Sequence, residues 1–239
     1  MLVSNYGRQA DISSNAAPTK LYEVDANGYL EDVAPALGLA QTTGGRALIS
    51  APIRSSNRMD IFANNENGCN WFYRNTGSGY VEEAVALGIA DCNNNGRGTT
   101  VIDGDMDGKL DIAYGNWNGQ HKLFIQEDTN FVDSAPAEMS LPSRIRTVIA
   151  ADFDNDGEEE LFYNNIPGAN RLFIRSGDTW VQTNIGDAME SAMHGTGAAV
   201  GDFDGDGMLE LLISHGESAS ETQVHKQSHR PLLDCQGCC

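Results

Sequence analysis

The chain has 239 residues, 40% of them hydrophobic, and a formal net charge of −19 from 34 acidic against 15 basic side chains. That length is ample for a buried core, and no run approaches the roughly 18 apolar residues that a membrane span needs. So acidic a balance excludes a nucleic-acid binder, which requires a basic face against phosphate, and directs attention to cations.

In chain order, Met1-Leu-Val-Ser-Asn lacks the basic and apolar regions of a signal peptide. Leu2-Val-Ser-Asn-Tyr-Gly is instead similar to Ile112-Ala-Tyr-Gly-Asn further on, so residues 1–20 are expected to be the tail of a repeat unit whose beginning is absent. About four units of some fifty residues follow, over 21–216. Gly28-Tyr29-Leu30 returns as Gly79-Tyr80-Val81, Asn130-Phe131-Val132 and Thr179-Trp180-Val181, at aromatic spacings of 51, 51 and 49. Trp71-Phe72, Leu123-Phe124 and Leu172-Phe173 mark another strand of the unit. Each unit reads as an aromatic strand such as 130–133, a small-residue strand such as 147–151, an acidic loop, a strand such as 161–163 and a last strand such as 171–175. Four antiparallel strands per unit predict an all-β fold, a β-propeller with each unit a blade. Between the first two strands of a unit, segments such as Glu31-Asp-Val-Ala-Pro-Ala-Leu-Gly-Leu predict one or two helical turns. Residues 217–239 have no blade landmark and are expected to be a disordered tail. Cys69 and Cys92 fall in loops of neighbouring units, where a disulfide and two free thiols are both open readings.

The acidic loops carry the chemistry. They read Asp103-Gly-Asp105-Met-Asp107-Gly108-Lys109-Leu-Asp111, Asp152-Phe-Asp154-Asn-Asp156-Gly157-Glu158-Glu-Glu160 and Asp202-Phe-Asp204-Gly-Asp206-Gly207-Met208-Leu-Glu210, with first acids 49 and 50 residues apart. Carboxylates at the first, third and fifth positions converge on one side of a tight loop. Glycine at the sixth permits the turn that brings in the backbone carbonyl of the seventh, from Lys109, Glu158 and Met208, and the acid of the ninth. Hard oxygen donors at that density suit Ca²⁺, so three calcium sites are expected. An EF-hand would need Glu at the twelfth position, where Tyr114, Tyr163 and Ile213 stand. A fourth copy is silent: Pro52, Arg54 and Ser56 replace the first three acids, and Asp60 alone survives. Arg54 is expected to place its guanidinium beside Asp60, in place of an ion.

The unit Asp-x-Asp-x-Asp-Gly-x-x-Asp/Glu, followed by an apolar strand, resembles the FG-GAP or VCBS repeat of integrin α-subunit propellers and many secreted proteins. The strings 111–124, 146–156 and 202–218 extend that resemblance to one family of secreted, acidic propeller proteins. It implies a non-enzymatic, extracellular calcium-binding propeller, part of a ring of seven blades, acting through an extracellular protein or matrix partner. The chain then looks incomplete or alternatively spliced.

Rival chemistry is weaker. Neither Gly-x-Ser-x-Gly nor His-Glu-x-x-His occurs, so no catalytic residue is assigned and a hydrolase accessory is the remotest reading. His121, His194 and His215 fall in repeat loops, and His225 and His229 in the tail. Gly195-Thr-Gly197-Ala-Ala-Val-Gly201 runs into the third acidic loop, which repels a pyrophosphate. Trp71, Trp117 and Trp180 leave a glycan partner, and so a lectin-like propeller, as the alternative.

Overall fold

The computed structural model describes residues 2–3, 18–42, 44–66, 68–191, 193–216 and 223–225, the first and last of these by backbone alone. The expected tail therefore lies outside the described residues except at 223–225, as do the side chains of His225, His229 and the three cysteines after Cys92. The chain forms two compact units, Met1–Tyr114 with Leu123–Ser134, and Gly115–Lys122 with Ala135–Cys239.

In the first unit, β1 (Leu2–Val3), β2 (Lys20–Val24) and β3 (Leu30–Asp32) make a three-stranded antiparallel sheet. A one-turn helix, α1 (Ala34–Leu37), follows where the variable segment predicts one, and ends on Gly38 at φ 80°. The next sheet takes β4 (Gly45–Ala51), β5 (Asp60–Asn65), β6 (Trp71–Asn75) and β7 (Tyr80–Glu82) in that order. A third contains β8 (Gly96–Ile102), β9 (Asp111–Gly119), β10 (Lys122–Gln126) and β11 (Phe131–Asp133). Ile53, Phe62, Phe72, Tyr114, Phe124 and Phe131 form the main core of this unit.

The second unit contains β12 (Ser143–Ala151), β13 (Glu160–Asn165), β14 (Arg171–Ser176) and β15 (Thr179–Thr183), paired in that order, with the far end of β9 also against β12. Another sheet joins β16 (Gly195–Gly201), β17 (Glu210–His215) and β18 (Gln223–His225). Phe153, Phe162, Leu172, Leu211 and Ile213 are its core.

Antiparallel sheets that follow one another along the chain are β-propeller blades, and the protein is all-β apart from two short helical turns among the described residues. The phase of the blade differs from the sequence reading. The aromatic strand closes a sheet as its outermost member and does not open the next one. Tight hairpins decide this: Thr76 N–H donates to Gly79 O at 2.9 Å and Glu127 N–H to Asn130 O at 2.9 Å, tying β6 to β7 and β10 to β11. A longer segment separates each outer strand from the next small-residue strand. Within the outer strands Phe131 and Trp180 turn inward while Val132 and Val181 are exposed, the two-residue alternation of a half-buried strand. Central strands β5 and β13 are buried at every residue and show no alternation.

A second repeated device closes the other end of the central strands. Asn65 N–H donates to Asn70 Oδ1 at 3.0 Å, Asn165 N–H to Asn170 Oδ1 at 2.9 Å and Asn116 N–H to His121 Nδ1 at 2.9 Å. The turns are gripped from the other direction as well, since Asn65 Nδ2 donates to Cys69 O at 2.6 Å and Asn165 Nδ2 to Ala169 O. Cys69 and Cys92 are joined in a disulfide beside the first of these turns. There Asn70 N–H also donates to Ala90 O at 2.6 Å; Asn170 N–H makes the matching bond to Met189 O at 2.7 Å without a disulfide. Asn170→Ala removes the buried acceptor of Asn165 N–H and the donor to Ala188 O. It is expected to cost about 1–3 kcal/mol in urea unfolding; a change under about 0.5 kcal/mol would contradict the assigned role.

Candidate metal centre

Each acidic loop is a hairpin: 103–110 joins β8 to β9, 152–159 joins β12 to β13, and 202–209 joins β16 to β17. The first aspartate folds the loop on itself. Asp103 accepts from Asp107 N–H and Gly108 N–H at 3.0 Å each, Asp152 from Asp156 N–H at 3.1 Å and Gly157 N–H at 3.0 Å, and Asp202 from Asp206 N–H at 3.1 Å and Gly207 N–H at 3.0 Å. The fifth-position acids Asp107, Asp156 and Asp206 cap the N–H groups of Lys109, Glu158 and Met208 at 2.9, 2.8 and 2.9 Å. Gly108, Gly157 and Gly207 have φ of 84°, 93° and 87°, a conformation that strains any side chain.

The ninth-position acid begins the central strand and is buried: Asp111, Glu160 and Glu210 are 0, 4 and 2% exposed. Asp111 accepts from Gly104 N–H at 2.7 Å and Gln126 N–H at 2.6 Å; Glu160 accepts from Phe153 N–H at 2.7 Å and Glu210 from Phe203 N–H at 2.8 Å. The second oxygen of Glu210, Oε1, is buried with no hydrogen-bond partner. Burial pushes the Asp111 carboxyl up to about 7 and the Glu160 carboxyl up to about 8, against the backbone donors that favour their charged forms. Asp154 is raised by burial and then by the Asp156 charge, whereas the Lys109 ammonium holds Asp107 down.

Carboxylate oxygens of Asp103, Asp105 and Asp111 lie within 4.8 Å of one another, as do those of Asp152, Asp154 and Glu160, and of Asp202, Asp204 and Asp206. Asp107 and Asp156 stand outside these triads, as does Glu210 in the third loop. In the first two triads an all-oxygen donor set that includes a buried carboxylate fits a hard divalent cation, whereas the third triad is wholly exposed.

At the silent copy the expected charge substitution is not made. Asp60 accepts from Arg54 N–H at 2.8 Å, Asn75 N–H at 2.8 Å and Ser55 Oγ at 3.3 Å, so its oxygens are satisfied without a guanidinium. The Arg54 side chain extends to the β10–β11 hairpin, donating to Gln126 Oε1 and Glu127 O at 3.3 Å each and to Asp128 O at 2.9 Å, with its guanidinium 5.8 Å from the Phe131 ring centroid.

The remaining polar candidates fill structural places. His121 is fully buried, its pKa lowered to about 3 by burial and then by Arg171. Because the Asn116 N–H occupies Nδ1, the ring proton sits on Nε2 and is donated to Ser143 Oγ at 2.8 Å. That polarity is the reverse of what a nucleophile–base dyad needs. His215 Nε2 is 3.0 Å from Glu190 Oε2, and His194 uses its carbonyl to accept from Gly216 N–H at 3.1 Å. Gly195–Gly201 is strand β16. Trp71 packs edge-on to Tyr73, Trp117 lies 5.3 and 4.5 Å from the Arg144 and Arg146 guanidinium carbons, and Trp180 is 7% exposed. Sequence reasoning missed the asparagine turns and the arginines Arg46, Arg97 and Arg146 of β4, β8 and β12, although both keep the 51- and 49-residue step. Glu66 pairs with Arg46 and, at 2.7 Å, with Arg97.

Blades with an acidic loop leading into the central strand define an FG-GAP-repeat protein, and a family model of the FG-GAP-like repeat matches residues 103–163 and 152–213. The chain is similar to cartilage acidic protein 1 of Xenopus tropicalis, 46% identical over 241 residues, covering 92% of this chain and 36% of the relative. The Homo sapiens protein of that name is 46% identical over 229 residues, 87% of this chain and 35% of its own length. That of Mus musculus is 48% identical over 206 residues, 80% and 32% respectively. The chain thus spans about a third of the length of these curated relatives.

The raised carboxyls set a pH dependence. Between roughly pH 4 and 8 the folded chain holds protons on Asp111 and Glu160 that the unfolded chain has released, so without metal their contribution to stability falls as pH rises. Melting in chelator is expected to shift down from pH 6 to pH 8, and Glu160→Gln, a mimic of the protonated form, to flatten that shift. An unchanged pH slope in Glu160→Gln would refute this account.

Proposed function

We propose that this chain is a non-enzymatic, calcium-braced β-propeller module of the extracellular matrix that acts through protein contacts. The observation that carries the reading is the threefold recurrence of one loop geometry, each copy bringing three carboxylates within 4.8 Å. In this reading Asp103, Asp105, Asp107, Asp111 and the Lys109 carbonyl hold the first ion. Asp152, Asp154, Asp156, Glu160 and the Glu158 carbonyl hold the second, and Asp202, Asp204, Asp206, Glu210 and the Met208 carbonyl the third. Bound Ca²⁺ neutralises crowded like charges and fixes the hairpins, leaving blade surfaces to carry recognition.

The matrix setting and extracellular location rest on the relatives named for cartilage, and the partner is a matrix or cell-surface protein. The net charge of −19 argues against nucleic acid, and among the described residues no helix is long and apolar enough to cross a membrane. Residues 21–216 constitute the repeat region in this proposal, flanked by 1–20 and 217–239, and the blades belong to a larger ring in the longer relatives.

Calcium at millimolar concentration is expected to raise stability over chelator by about 1 kcal/mol or more per site. Asp152→Ala and Asp202→Ala should each reduce that increment, whereas Ser56→Ala in the silent loop leaves it intact. Equal melting temperatures in calcium and chelator, or equal increments in all three variants, would overturn the assignment.

A further inference from the structure

We propose that Asn155 is a positioning residue that couples the second acidic loop to the third, so that a cation on 152–160 raises the affinity of 202–210 for its own. The inference rests on the calcium reading above and goes beyond it, because the ladder pattern treats its copies as independent sites.

Asn155 occupies the fourth position of its loop at φ 59°, where Gly205 stands at φ 78° in the third loop and Met106 at φ 64° in the first. Asparagine tolerates this left-handed conformation better than most side chains. Only in the second loop does that position offer an amide donor. Asn155 Nδ2 donates to Gly207 O at 3.0 Å and lies 3.1 Å from Met208 Sδ. The peptide it grips is central to the third loop: Gly207 N–H donates to Asp202 Oδ2 at 3.0 Å and Met208 N–H to Asp206 Oδ1 at 2.9 Å. The next carbonyl along, that of Met208, is the proposed seventh-position donor. The third loop leads into the buried Glu210, whose Oε1 has no hydrogen-bond partner and which stands outside the Asp202, Asp204 and Asp206 triad.

On the donor side, Asn155 is flanked by Asp154 and Asp156, and Asp156 N–H is tied to Asp152 Oδ1 at 3.1 Å. A cation drawing Asp152, Asp154 and Glu160 together fixes the backbone on both sides of Asn155 and so the direction of its amide. The Gly207–Met208 turn is then already ordered when the third loop binds, and the conformational entropy lost on that second binding is smaller. Linkage makes the effect reciprocal. One neutral hydrogen bond between exposed loops supports a coupling of about 2- to 10-fold in affinity.

The test is calorimetric calcium titration of the full chain carrying Asp103→Ala, which leaves the second and third loops. Positively cooperative uptake of two ions is expected, and adding Asp152→Ala should leave one ion bound about 2- to 10-fold more weakly at the third loop. Asn155→Gly, which retains the backbone conformation that Gly205 adopts, should abolish the cooperativity and make the third-loop affinity indifferent to Asp152→Ala. Asn155→Asp, which loses the amide donor, should also separate the two sites, and circular dichroism checks that each variant is folded. Two independent sites in the Asp103→Ala chain, or cooperativity that survives Asn155→Gly, would overturn the coupling while leaving the calcium reading in place. No calcium uptake by the unmodified chain would overturn both.

Discussion

The interaction on which the blades depend is a buried carboxylate at the start of each central strand, held by backbone amides. Asp60, Asp111, Glu160 and Glu210 all occupy this place, and each accepts an N–H from the loop that precedes it. Asp60 and Asp111 also take one from the end of the third strand, Asn75 and Gln126 respectively. A single acid thereby pins three segments together. Burying it costs solvation that two amides offset only in part. The silent loop shows one solution, in which the acids above Asp60 are gone and Ser55 supplies a further donor. The acidic loops differ: each gathers three carboxylates within 4.8 Å of one another, and in the proposed function a cation balances them.

Polar groups at the opposite end of the central strands serve packing. Asn70 and Asn170 accept a strand-end N–H through a side-chain oxygen, and His121 does the same through a ring nitrogen. That shared place explains why a buried histidine next to a serine has no catalytic polarity. It also accounts for the buried Asn65, Asn70, Asn116, Asn165 and Asn170, each bonded within a turn that would otherwise leave its own backbone unsatisfied; the buried Asn64 instead bonds the backbone of β4 and β8. The central strands are closed at their two ends by different chemistry, amide and imidazole acceptors at one and clustered carboxylates at the other.

Much of this was legible in the residues because nine consecutive positions determine the acidic loop. Asp103, Asp152 and Asp202 close on amides four and five residues ahead, and the glycine at the sixth position sets the turn, so spacing alone specifies the geometry. The triads themselves needed coordinates, since Asp107 and Asp156 cap amides outside them while Asp206 lies inside its own. The asparagine turns were harder to read, because asparagine is common in surface loops and nothing in the sequence says that Asn65, Asn116 and Asn165 are buried.

The sequence by itself determined the all-β repeat, its period, the three acidic loops and the one silenced copy, because these rest on local contacts within a few residues. Tertiary structure alone decided which strands share a sheet, that Cys69 meets Cys92, that Arg54 reaches the β10–β11 hairpin and not Asp60, and that Asn155 touches the third loop. Those outcomes bring together groups that are distant along the chain, and a long side chain goes to whichever carbonyl or ring the packing presents to it. No spacing rule encodes that choice.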